Sequence, residues 1–189
     1  MSDLNTRCLD AFPEWLKSLP QDALDLADLL NSESLPESAR KHIAGSLNYL
    51  FKSLDLIPDG IEDLGFLDDA FVLRVAARVA INDLSPASVA FSSVHEGAPP
   101  TLSKLATQAD LVEALLGKDF VRLAKYVDAL VDAPARGRTP DELVKDASIR
   151  SAFFAELQGW SQSYQSPNFT RDEKNLMKLT SFLSAKLPG

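Results

Sequence analysis

A chain of 189 residues with 46% hydrophobic and 24% charged side chains is long enough to bury a core without a disulfide or metal staple, and its composition is that of a soluble globular protein. Its net charge of −8 argues against a general nucleic-acid binder and against attraction to anionic lipid headgroups. A single cysteine, Cys8, excludes an internal disulfide and any multi-cysteine metal centre.

The opening MSDLNTRCLDAF has neither the basic start nor the apolar run of a signal peptide. No window approaches the roughly 20 uncharged apolar residues of a membrane span. A soluble, cytoplasmic protein is expected. Leu4, Cys8, Phe12, Trp15, Leu16 and Leu19 recur at three- and four-residue intervals and predict a first helix that ends at Pro20. Within that stripe Cys8 reads as a small buried hydrophobe rather than a reactive thiol. A second short helix is predicted over 22–30. Pro36 suits a helix first turn and opens a segment in which Ile43, Leu47, Leu50, Phe51 and Leu54 form one apolar stripe.

An acidic loop follows, and then an almost wholly apolar helix over 66–84, with Arg74, Arg78 and Asn82 as its polar stripe. A helix that apolar belongs at the centre of a core. Ser85-Pro86 suits another cap and first position, and 92–100 reads as a linker containing His95. Helical patterns over 101–116 and 118–131 precede a break at 134–137. Thr139-Pro-Asp-Glu142 and Thr170-Arg-Asp-Glu173 both match the capping box, in which two orphan amides are satisfied reciprocally. No internal repeat and no β alternation is found. The expected fold is all-α, a compact multi-helix bundle in one domain over 1–189. A central hairpin over 36–84 with an acidic Pro/Gly turn organises it, and 101–189 form a C-terminal helical half.

The vocabulary of catalysis is thin. The two histidines, His42 and His95, are far apart, and zinc-helix, nucleophile-elbow, phosphate-loop and dinucleotide motifs are lacking. Lys118 follows Gly117, but the glycine a phosphate cradle needs five residues earlier is missing. His42 reads as a helix residue, and Trp15, Trp160 and Tyr164 read as packing. A glycosidase-like carboxylate pair lacks an aromatic groove around it. No enzyme is expected.

The distinctive stretch is 55–69, DLIPDGIEDLGFLDD, with six carboxylates and no basic residue. Such like charge costs free energy unless water, a cation, a helix N-terminus or an arginine offsets it. One reading is a Ca²⁺ or Mg²⁺ site built from Asp55, Asp59, Asp68 and Asp69. An EF-hand fails, because positions 3 and 12 counted from Asp55 are Ile57 and Phe66. The structural reading is a tight reversal in which Pro58 fixes φ, Gly60 supplies a positive φ, and Asp55 and Asp59 bond local amides. Asp68 or Asp69 then caps the following helix, Leu56 and Ile57 fold inward, and the acids face water or the Arg74/Arg78 stripe.

These residues carry a family resemblance. Tyr49-Leu50-Phe51-Lys52-Ser53-Leu54-Asp55-Leu56-Ile57-Pro58-Asp59, continuing through Ile61, Leu64 and Gly65 to Asp68-Asp69, resembles the signature of the YkvA-like family, a domain of unknown function widespread in bacteria. The similarity spans 39–79, about a fifth of the chain. Lys52-Ser53 replaces the usual Ser-Pro and Glu62 the usual second proline, which implies a less rigid and more acidic turn. The resemblance implies a helical hairpin with Leu56, Ile57, Pro58, Gly65, Arg74 and Arg78 as structural motif positions, and it supplies no activity. Many relatives carry membrane helices, whereas Arg74 and Arg78 mark this chain as a soluble one.

The expected function is therefore a non-enzymatic interaction or regulatory module with a protein partner, no resident cofactor and no nucleic acid. Divalent-cation binding at the acidic turn is the alternative, peripheral membrane association the second alternative. The oligomeric state stays open.

Overall fold

The computed structural model describes residues 3–53, 55–84 and 97–189. Leu54, the Ser85-Pro86 cap, and His95 with most of the linker lie outside them. The described residues form eight α-helices and no strand: α1 (Asp3–Asp28), α2 (Glu37–Tyr49), α3 (Leu67–Asn82), α4 (Pro100–Leu116), α5 (Phe120–Ala129), α6 (Pro140–Lys145), α7 (Ala147–Ser163) and α8 (Glu173–Lys186). The fold is an all-α bundle. Helix α3 is its axis, with every side chain but Val79 and Asn82 buried, because α1, α2, α4 and α5 all pack against it. Phe12, Trp15, Phe71 and Phe169 meet in edge-on and tilted ring contacts at 5.2–6.1 Å. No described helix is long and apolar enough to cross a membrane.

The first correction concerns α1, which does not stop at Pro20 but runs unbroken through Pro13 and Pro20. A proline inside a helix removes the amide that would bond the carbonyl four residues earlier. For Pro20 that carbonyl is Leu16's, and it accepts instead from the Tyr164 hydroxyl at 2.9 Å. A donor 148 residues away in the chain thus replaces the missing bond. Tyr164→Phe is expected to cost about 1 kcal/mol, read as a lower urea midpoint at unchanged slope. An unchanged midpoint would show that the carbonyl needs no protein donor.

The capping boxes divide. Thr139 and Glu142 form theirs reciprocally, but it opens only the short α6; α7 restarts on its own cap, Asp146. At the second, Asp172 takes the N-cap place and accepts the Lys174 amide at 2.9 Å, while Glu173 accepts from Asn5 at 2.8 Å. The acid nearest the helix start outcompetes the threonine two residues earlier.

The arginines of α3 do not answer the acidic turn. Arg74 is fully buried, lies 4.1 Å from the Trp15 ring centroid and pairs with Asp22 at 3.2 Å. Lys104 at 2.7 Å and Ser18 at 2.8 Å share that aspartate. Arg78 reaches across to Asp110 and Glu113 on α4 and lies 5.4 Å from the Phe120 ring. His42 joins three helices, its Nδ1 3.0 Å from Asp83 and its Nε2 2.9 Å from Asp128. Burial disfavours its charge, but the two carboxylate bonds outweigh that and raise its pKa. Cys8 is buried, which pushes its thiol up to about 11 and makes it a packing residue.

Candidate functional site

The turn between α2 and α3 is organised by Tyr49, the last residue of α2. Its hydroxyl accepts the Leu56 amide at 2.7 Å and donates to Asp68 Oδ2 at 2.6 Å; the same oxygen accepts the Ile57 amide at 2.9 Å. Leu56 and Ile57 are buried, and this relay satisfies the two amides that their burial takes from water. The aspartate serving the turn amides is therefore Asp68, and it is not a helix cap. Phe66 stands at the N-cap of α3 with φ 64° and no side-chain cap. The left-handed positions of the turn are Asp63, φ 68°, and Phe66, in place of the expected Gly60. Side chains pay for that geometry less readily than glycine does, and the turn is held by its surroundings. Asp63 Oδ1 accepts the Thr170 amide at 2.9 Å, and Phe66 packs edge-on against Tyr164 at 5.2 Å.

Gly65 is required for a different reason from φ. A Cβ there would lie 2.2 Å from the Asp59 carbonyl oxygen, so the strand of backbone at Asp59 rests directly on Gly65. This contact sets Asp59 at the rim of the turn, with Asp55 half-buried beside it and Asp68 and Asp69 beneath.

The four aspartates feel one another. Burial, then the Asp59 charge, pushes Asp55 up to about 6, with Lys52 opposing; loss of hydration raises Asp59. Burial raises Asp68 to about 7 against its bonds from Tyr49 and Ile57. Burial and the charges of Asp68, Asp59 and Asp55 hold Asp69 well above the carboxylate range. Asp68 Oδ1 and Asp69 Oδ2 are buried with no hydrogen-bond donor among the described residues, and the two residues are 0% and 3% exposed. Three tyrosines complete the surroundings. Tyr126 meets Tyr49 edge-on at 6.1 Å, and the phenol of Tyr126 is raised by burial and by Asp68, Asp55 and Asp69. Tyr164 is raised by burial and then by Asp69. Lys52 sits on the edge, its Nζ 5.4 Å from the Tyr126 centroid and 5.8 Å from that of Tyr49.

Carboxyls raised in this way keep a proton to higher pH than exposed ones do. Asp55, Asp59, Asp68 and Asp69 share one electrostatic neighbourhood, yet among the described residues no three or more His, Cys, Asp or Glu side chains gather as a metal-holding group. Leu56, Ile57, Pro58 and Gly65 shape the turn, while Arg74 and Arg78 serve other contacts. The residues that sequence reasoning missed are Tyr49, Tyr126, Tyr164 and Lys52. Tyr49 stands within the quoted motif, but nothing in spacing announces a hydroxyl relay, and Tyr126 and Tyr164 arrive from distant helices.

Residues 39–74 match a family model described as a protein of unknown function, DUF1232. No curated protein and no solved structure matches the chain.

Proposed function

We propose that this protein is a non-enzymatic interaction or regulatory module of the YkvA-like type, whose acidic turn receives a positively charged segment of a protein partner. The observation that supports this is the acidic rim of the turn, exposed Asp59 beside half-buried Asp55, above the buried Asp68 and Asp69. Arg74 and Arg78, the arginines of the helix that follows the turn, are committed elsewhere. The ionised carboxylates of the turn's rim project a field that steers cations and raises their encounter rate. A net charge of −8 adds to it.

The test is binding of a fluorescent peptide of mixed lysine and arginine to the whole protein at two ionic strengths, beside an Asp55→Asn/Asp59→Asn variant. Saturable binding to the parent that weakens with salt and is lost in the variant is the expected result. Equal binding by the variant, or none by either protein, refutes the reading.

A second reading, a divalent cation at the same turn, is supported by the hard oxygen donors alone. At about 100-fold its dissociation constant, Ca²⁺, Mg²⁺ or Mn²⁺ would add about 2.7 kcal/mol to stability. A thermal midpoint equal in EDTA and in each ion removes that reading.

A further inference from the structure

A histidine with a carboxylate at each ring nitrogen can satisfy both only as the imidazolium, which has two N–H donors; the neutral ring has one donor and one lone pair. His42 of α2 stands in that position. Its Nδ1 lies 3.0 Å from Asp83, just past the end of α3, and its Nε2 lies 2.9 Å from Asp128, in the last turn of α5. The two acids differ in what they lose when the ring gives up a proton. The Asp83 side chain is 27% exposed and that of Asp128 68%, so Asp128 is the one whose bond water replaces at least cost. Asp128 also lines an open cleft of about 450 Å³ between α3, α4 and α5, together with Val79, Asn82, Phe120, Val121 and Ala124. Val79 and Asn82 are the two side chains of α3 that are not buried, so the central helix reaches the surface in this cleft.

We propose that His42 is a proton-operated latch beside this cleft: as the imidazolium it ties both the end of α3 and the last turn of α5 to α2, and as the neutral ring it keeps Asp83 and lets go of Asp128. The released carboxylate then stands in the cleft without its cation, one turn from Lys125, which lines the same cleft. The charge of the cleft is thereby set by pH. Other charged groups on the elements around His42 are engaged elsewhere among the described residues. Arg40 and Lys41 precede it on α2, and Lys41 pairs with Glu37 and with Asp141 of α6. Lys145 of α6 joins that same group. Asp22 of α1 pairs with Arg74 and Lys104, and Arg78 of α3 with Asp110 and Glu113. Asp132, in the turn after α5, is exposed. Burial works against the charge of His42, and its bonds to Asp83 and then Asp128 outweigh burial and raise its pKa. A histidine raised above its ordinary 6.5 contributes its full stability below that value and loses it as pH rises through the folded pKa. The latch is closed in mild acid and opens on the alkaline side of 6.5. It stands whether or not the acidic turn binds a partner.

The test is magnetic resonance of the full-length protein, following the ring of His42 and the amides of Lys125 and Asp128 from about pH 5 to about pH 9, a range that brackets the histidine titration. The proteins are the parent, Asp83→Asn, Asp128→Asn and His42→Gln, the last of which separates the ring signals of His42 from those of His95. The expected result is a His42 midpoint above 6.5 that falls in each asparagine variant. Both amides follow that midpoint in the parent and lose the transition in His42→Gln. Above the midpoint the remaining ring proton is expected on Nδ1, toward Asp83. Asp128 is exposed, so Asp128→Asn is expected to fold even where His42→Gln does not, and it carries the test alone: its ring midpoint falls and the Lys125 amide stops following the ring. A midpoint at or below 6.5, a midpoint unmoved by Asp128→Asn, α5 amides that ignore the titration of the ring, or a neutral ring protonated on Nε2 each overturn the latch.

Discussion

At pH 8, Asp69→Asn is expected to melt about 4–8 °C above the parent, and at pH 4.5 the two are expected to melt close together. Asp69 is buried among three other acids, and its pKa is raised by burial and then by those charges. A carboxyl whose folded pKa exceeds its unfolded value favours the fold when protonated. That contribution is full below the unfolded pKa, near 3.8, and is lost as pH rises through the folded value. Asp68, its coupled neighbour, is raised to about 7, and the loss for Asp69 begins near pH 4 and continues upward toward its raised folded value. Ionising a buried carboxyl without a partner costs several kcal/mol. An asparagine of the same shape never ionises, and after allowing for its own unpaired N–H the gain is about 2 kcal/mol. For a chain of this length each kcal/mol moves the midpoint by about 2–4 °C. Calorimetry of both proteins across pH 4–8 decides the matter. A variant that is less stable than the parent at pH 8 would show that the ionised acid is compensated within the protein. Stabilisation by removing an acid would mark the pair as a feature kept at the expense of stability, which is a property of binding sites more than of scaffolds.

Gly65→Ala is expected to lose about 3 kcal/mol, a midpoint lower by about 6–12 °C, while Gly60→Ala, five residues away, stays within about 0.5 kcal/mol of the parent. The contrast comes from what a methyl group would meet. At Gly65 it lies 2.2 Å from the Asp59 carbonyl oxygen and 2.9 Å from its carbon; at Gly60 nothing lies within 4 Å. The obstacle at Gly65 is backbone, which no rotamer change relieves, so the Asp59 segment must lift and carry the rim of the acidic turn with it. Gly65→Ala should therefore also weaken binding of the basic peptide, whereas Gly60→Ala leaves it intact. Denaturant unfolding of both variants measures the difference, and equal stabilities would show that the turn does not depend on the close approach.

The sequence was most legible where a helix is decided by its own residues. The apolar circumference of α3 announced a central helix, and the helical pattern over 101–116 falls within one residue of α4, Pro100–Leu116. The fate of Pro20 was not, because the hydroxyl that makes the helix tolerable is on Tyr164 and no local pattern refers to it. The Thr170 capping box misled for a related reason: Asp172 competes for the same amides from a better position. At the acidic turn, the acids and the Pro/Gly chemistry were visible, and so was the inward folding of Leu56 and Ile57. Two matters were hidden. Arg74 and Arg78 seemed placed to neutralise the acids, but their helical phase points them at Asp22 and at α4. And a tyrosine ending one helix gives no sign in sequence that its hydroxyl joins two amides to an aspartate at the start of the next.

The bond from Tyr164 to the Leu16 carbonyl also bears on the order in which the molecule is finished during synthesis. Helix α1 leaves the ribosome before α7 and α8, yet the donor for its broken rung is 148 residues behind it. Further ties to α1 come from the same late region, Glu173 to Asn5 and Arg171 to Asp10, and α7 and α8 both pack on it. Helix α1 is thus completed only by residues that follow it much later in the chain. Until Tyr164, Arg171 and Glu173 arrive, α1 carries an open carbonyl and an uncovered face, and a nascent chain halted before residue 164 would display both.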